Sequence, residues 1–281
     1  ADAFMTSDIT MLDQEHHFLV ALSAMAANQE IMGYASNPLD VMLVLDVSGS
    51  MENNNKDEGM VDAANLAMDA ILSAGSNNRI GIVLYSGAAT QGTANASTAT
   101  VIMPLDHYTT TATDTVAVTS TTGATTNKTI GKYLNISGGR VTVNSAVRDG
   151  NKNGVSGSKS VSGGTYIQNG IYKGWNEFAQ VDDTVVPAGN PQAGAKRTPV
   201  MILMSDGRPT HATTSYHNVQ NSASTYGDGT NGSTTNRTVF LTQLTAAWTK
   251  GKMAAHYNTT PKFYTVGLGT STDAYATAVL N

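Results

Sequence analysis

The sequence predicts an α/β fold: a doubly wound, mostly parallel sheet flanked by helices, with β-rich arms inserted into it. Three observations carry that prediction. Two apolar runs, Val41–Leu45 and Val200–Met204, lead directly into Asp46 and into Ser205-Asp206. Continuous apolar runs bounded by turn residues are the pattern of strands buried on both faces. Amphipathic segments with helical spacing alternate with such strands, which is the order of a βαβ fold. Finally, two stretches at about 107–162 and 211–236 are dominated by Thr, Ser, Gly and Asn and have no helical period.

Taken in order, residues 1–37 read as a strand-rich lead, with a strand near Phe18–Ser23 and a linker that Pro38 ends. The main domain is read over 38–281. Its first buried strand is followed by Met60, Ala64, Met68, Ile71 and Leu72 at helical spacing, with Gly75 as the stop. Arg79–Ser86 is the next strand and completes a βαβ unit; Ala99–Leu105 is another. A structureless loop as long as 107–162 is rare inside a compact domain, so it is read as a β arm. Within it, Tyr133–Ile136 and Arg140–Val147 are expected to pair across Ser137-Gly138-Gly139. Tyr166–Ala179 is a helix with Ile167, Ile171, Trp175 and Phe178 on one face. Pro199–Asp206 is a third buried strand, and 211–236 a second polar insert with a Gly-rich tip at Tyr226–Ser233. Val239–Ala255 is a helix with Leu241, Leu244, Trp248 and Ala255 on one side; both tryptophans read as core. Lys262–Gly267 is a last strand, and Ala274–Leu280 starts another helical segment.

Composition narrows the function. Hydrophobic residues make up 40% of the chain and charged residues only 13%, so the surface is polar without much charge. A net charge of −5 leaves no basic face to neutralise phosphates, which argues against nucleic acid as a partner. The absence of cysteine removes thiol chemistry and disulfides and is compatible with secretion. No run is long enough to span a membrane, and no signal peptide opens the chain, so Ala1 reads as a processed or trimmed start. The His16-His17 pair reads as a strand-edge or linker feature rather than a metal site.

The chemistry concentrates where strands end. Asp46, Ser48 and Ser50 place one carboxylate and two hydroxyls at alternate positions, with Gly49 letting the chain turn between them. Oxygen ligands of this kind suit hard cations such as Mg²⁺. Thr165 follows Gly163-Gly164 just ahead of a helix, where it is either a ligand or a plain N-cap. Asp206 sits at the carboxyl end of its strand, as Asp46 does, and neighbouring carboxyl ends in a parallel sheet share one crevice.

Asp46-Val47-Ser48-Gly49-Ser50 matches the D-x-S-x-S signature of von Willebrand factor type A domains. Gly-Gly-Thr165 and Ser205-Asp206-Gly207 resemble that family's second and third metal motifs. The Pro38–Met51 stretch is similar to pilus-tip and surface adhesins of Gram-positive bacteria. The resemblance implies a metal-ion-dependent adhesion site. Ser48, Ser50 and Thr165 would coordinate directly, and Asp46 and Asp206 partly through water. It implies Mg²⁺ as the ion, with Mn²⁺ or Ca²⁺ able to substitute. It further implies a protein or glycan partner offering a carboxylate, on a host surface or extracellular matrix or in another pilus subunit. The expected location is extracellular, on a pilus or the cell wall, without membrane insertion. The inserts are expected to shape the binding surface. The family usually closes with a helix, so the chain is expected to be a fragment.

Two other classes compete with this reading. A structural fibre subunit would use the same domain for docking, and an intracellular member of the family would work beside an ATPase. An enzyme is not expected: His211 is the one histidine beside a motif, and no nucleophile elbow or phosphate loop occurs. Asp149-Gly150-Asn151-Lys152-Asn153-Gly154 fits the opening of a calcium loop, with Asp149, Asn151 and Asn153 as candidate ligands. Its twelfth position is Ser160, not Glu, which favours an ordinary Asn/Gly turn.

Overall fold

In the computed structural model, residues 37–87, 98–119, 125–131, 133–216, 224–229, 233–269 and 273–280 are described. The lead strand near Phe18–Ser23 and His16-His17 lie outside them. The chain opens with β1 (Leu39–Asp46), a 3-10 segment (Gly49–Asn55), α1 (Lys56–Ala74), β2 (Arg79–Tyr85) and β3 (Ala99–Asp106). The arm follows, with β4 (Thr109–Thr110), β5 (Thr113–Thr119), β6 (Thr125–Gly131), β7 (Leu134–Ser137), β8 (Arg140–Val143), β9 (Val147–Arg148) and β10 (Ser158–Ser160). Then come α2 (Ile167–Ala179), β11 (Thr198–Ser205), β12 (Ala212–Thr213), β13 (Thr225–Tyr226), α3 (Asn236–Tyr257), β14 (Lys262–Gly267) and α4 (Ala274–Leu280).

The main sheet runs β14-β11-β1-β2-β3. The β1–β2, β1–β11 and β11–β14 pairs are parallel, and β3 closes one edge antiparallel. That edge carries Pro104, a residue that the interior of a sheet does not tolerate. The apolar run of β1 is fully buried because the sheet is covered on both sides. Alternate residues point to opposite faces. Val41, Leu43 and Leu45 therefore join Met60, Val61, Ala64 and Met68 of α1. Met42 and Val44 join Ile167, Ile171 and Phe178 of α2, with Met253 and Tyr257 of α3.

The arm is built onto this frame. β7 and β8 pair antiparallel with Ser137 opposite Arg140. Gly138 and Gly139, at φ +56 and +66, form the tight turn that the sequence predicts. The second strand ends at Val143, four residues before the expected Val147, and the first is shifted by one residue, so that Ser137 belongs to β7 and the turn is Gly138-Gly139 alone. Leu134, Val141 and Val143 bury against the α1 side of the core. Asn65 of α1 pins it: its Nδ2 donates to the carbonyls of Val61 and Leu134, and its Oδ1 accepts from the Tyr133 and Leu134 amides.

Two expectations need correction. The buried residues of α3 are Thr238, Val239, Leu241, Thr242, Thr245, Thr249, Met253 and Tyr257, while Ala255 is exposed and Leu244 half-buried. Thr238, Thr242 and Thr245 can occupy the inward face because their hydroxyls bond to carbonyls of their own helix and its cap. Thr242 donates to the Thr238 carbonyl and Thr245 to that of Leu241. With this face turned inward, Trp248 is half-buried outside the core and meets Trp175 edge-on at 6.1 Å, whereas Trp175, also half-buried, packs against the α2 side of the core.

Candidate metal centre

Parallel pairing brings two distant aspartates together. Leu45 lies opposite Met204, which puts Asp46 beside Ser205 at the carboxyl ends of β1 and β11. Ser205 Oγ donates to Asp46 Oδ2 at 2.6 Å, and the Ser48 backbone N–H donates to Oδ1 at 2.8 Å. Both oxygens of Asp46 are thus oriented by donors. The chain then turns so that Ser48 Oγ and Ser50 Oγ stand 3.1 Å apart. Ser50 Oγ donates in turn to Asp206 Oδ1 at 2.8 Å.

Thr165 arrives on the stretch ahead of α2, which is laid along the first loop by backbone bonds. The Ser162 amide donates to the Val47 carbonyl at 2.8 Å, and the Gly49 amide to the Gly163 carbonyl at 2.9 Å. Thr165 and Thr210 clip each other: the Thr165 amide donates to Thr210 Oγ1 at 2.8 Å, and the Thr210 amide to the Thr165 carbonyl at 3.0 Å. Gly164 makes this close approach possible, since a methyl there would meet Thr210 Oγ1 at 2.7 Å and run into the Gly229 carbonyl. The N-cap of α2 is Tyr166, so the Thr165 hydroxyl is not spent as a cap. It instead flanks Gly207 together with Ser50. A methyl built on Gly207 would lie 3.5 Å from Thr165 Oγ1 and 3.8 Å from Ser50 Oγ.

The structure therefore gathers Asp46, Ser48, Ser50, Thr165 and Asp206 around one point. Asp46, Ser48 and Thr165 form a buried floor. Ser50 and Gly207 are half-buried and Gly163 is exposed, which leaves one side open to solvent. Each insert comes close to a motif loop. A methyl on Gly139, at the β7–β8 tip, would lie 3.1 Å from Glu52 Oε1, and the Gly229 amide donates to the Thr210 carbonyl.

Electrostatics favour a cation here. Burial, then the neighbouring charge of Asp206, pushes the Asp46 carboxyl up from 3.8 to about 7, against the bonds from Ser205 and Ser48. A divalent ion would relieve that repulsion. The donors are two carboxylates and three hydroxyls, all hard oxygens, and they fit an ion such as Mg²⁺. Among the described residues, no group of three or more His, Cys, Asp or Glu is placed to hold a metal.

The other candidates fall elsewhere. Asp149, Asn151 and Asn153 share one turn of the arm, where Asp149 Oδ1 accepts from the amides of Asn151 and Asn153. That carboxylate closes its own turn. His211 is buried edge-on against Tyr166 at 4.5 Å, and burial lowers its pKa. Three participants carried no mark in the sequence as site residues. They are Ser205, which lay inside a motif already noted, Thr210, and Lys56, whose Nζ donates to Asp206 Oδ2 at 2.6 Å. The last two act across 45 and 150 positions of chain, and no local pattern signals such pairings.

A family model described as the von Willebrand factor type A domain matches residues 41–208, more than half of the chain. Among solved structures, the pilus adhesin SpaC from Lactobacillus rhamnosus GG is 15% identical with a TM-score of 0.41, covering 83% of this chain and 25% of that one. Its open conformation gives 15% and 0.37, covering 88% and 29%. The pilus adhesin RrgA from Streptococcus pneumoniae gives 17% and 0.32, covering 67% and 22%. The chain thus spans under a third of each of these proteins. No curated protein matches.

Proposed function

The chain belongs to the von Willebrand factor type A family, and on that premise we propose that it is an extracellular adhesion domain of a pilus or cell surface. In this reading it binds an acidic group of its partner through a divalent cation. The observation that carries the proposal is the convergence of Asp46, Ser48, Ser50, Thr165 and Asp206 on one solvent-facing point. When bound, the ion supplies a positive charge that neutral hydroxyl ligands leave incompletely cancelled. Ser48, Ser50 and Thr165 hold it, while Asp46 and Asp206 orient those hydroxyls and balance charge. The partner's carboxylate approaches from the side of Ser50 and Gly207. The β7–β8 tip and the loop at Gly227–Gly229 select the partner by shape. Among the described residues, no helix is long and apolar enough to cross a membrane.

The test is retention of the purified domain on an array of extracellular matrix proteins and glycans. It is run in Mg²⁺, in EDTA, and with Ser50→Ala in Mg²⁺. Retention in Mg²⁺ alone, lost at least about tenfold in the other two arms, is expected from removal of a bridging ion. Equal retention in all three refutes the cation bridge.

A further inference from the structure

Lys56 stands in a position that its own helix does not favour. It is the first residue of α1, where the helix dipole disfavours a cation. It follows Asn54 and Asn55, both left-handed at φ 58 and 55, a conformation that side chains other than Gly adopt at a cost and Asn tolerates best. These two residues turn the chain so that α1 starts beside the cation site. There Lys56 Nζ meets Asp206 Oδ2 at 2.6 Å. The Asp206 side chain is 1% exposed and that of Lys56 is 23% exposed. With Ser50 Oγ on Oδ1, internal donors engage both oxygens of Asp206.

A buried carboxylate needs a counter-charge. We propose that Lys56 is a tethered counter-ion that competes with the divalent cation for Asp206 and so sets the affinity of the site. This rests on the reading of Asp46, Ser48, Ser50, Thr165 and Asp206 as a cation site. In the metal-free protein the ammonium keeps Asp206 paired and the loop around Ser50 in place. A divalent ion binds by drawing on the same carboxylate, and the single positive charge of Lys56 opposes it. The mostly buried Asp206 end of the pair makes this opposition stronger than a surface lysine would exert.

The experiment uses the whole chain, stripped of metal, as wild type and as Lys56→Gln, Lys56→Met and Lys56→Arg. Mn²⁺ is titrated and free Mn²⁺ is followed by electron paramagnetic resonance. Melting is recorded in EDTA and in excess Mn²⁺. Both neutral variants are expected to bind Mn²⁺ about tenfold more tightly than wild type. They melt lower in EDTA and gain more on adding Mn²⁺, whereas Lys56→Arg stays close to wild type. A merely structural lysine would lower melting in EDTA without tightening Mn²⁺. Neutral variants that bind Mn²⁺ as wild type does, or more weakly, overturn this inference alone. No Mn²⁺ binding by any of the four proteins overturns the cation site and this inference together.

Discussion

Replacing Asp46 with Asn should stabilise the metal-free protein at neutral pH, although it removes a residue of the site. The reasoning starts from a fully buried carboxyl whose pKa is raised from 3.8 to about 7, first by burial and then by Asp206. Between those values the folded state keeps a proton that the unfolded chain has released. Stability therefore falls as pH rises from about 4 to 7 and levels off above, which is the sign for a raised carboxyl. At about 1.4 kcal/mol per pH unit, the ionised carboxylate costs the metal-free fold roughly 4 kcal/mol at pH 7.5. That is a large part of the 5–15 kcal/mol typical of a domain. Asn keeps the local bonds: its carbonyl accepts from the Ser48 amide, and its NH₂ donates to Ser205 Oγ once that hydroxyl turns. Urea unfolding, followed by the fluorescence of Trp175 and Trp248, is measured in EDTA from pH 4 to 7.5. Asp46→Asn should exceed wild type by about 2–4 kcal/mol at pH 7.5 and by about 1 kcal/mol or less near pH 4. Excess Mg²⁺ should reverse the order at pH 7.5, because only the carboxylate rewards the ion, and Mg²⁺ affinity should rise with pH up to about 7. Parallel stability curves for the two proteins in EDTA, or a wild type that gains on the variant as pH rises, would refute the reasoning.

Asn65→Ala should destabilise the fold by about 2–3 kcal/mol, because it leaves the buried amides of Tyr133 and Leu134 without their acceptor. Hydrogen exchange should quicken across 133–143 while Mn²⁺ affinity holds. Gly164→Ala should cost about 1–3 kcal/mol by forcing Gly164 away from Gly229 and Thr210. It should also weaken Mn²⁺ binding by displacing Thr165, measured by urea unfolding and the same Mn²⁺ titration.

The sequence alone determined the strands and helices that hold the site, because their signals are local. Five apolar residues before Asp46 and five before Ser205-Asp206 mark buried strands wherever they occur. The hairpin turn was legible because Gly138-Gly139 suits a backbone that other residues avoid. The motif loops were legible because hydroxyls and carboxylates at fixed spacing are themselves the chemistry. The inward face of α3 was not legible, since Thr242 and Thr245 look polar until their hydroxyls are paired within the helix. Only the tertiary structure decided that Ser205 aligns Asp46, that Thr210 clips Thr165, and that Lys56 faces Asp206. Those choices follow from parallel register and from where α1 begins. Each depends on contacts between residues far apart in the chain, which no window of sequence contains.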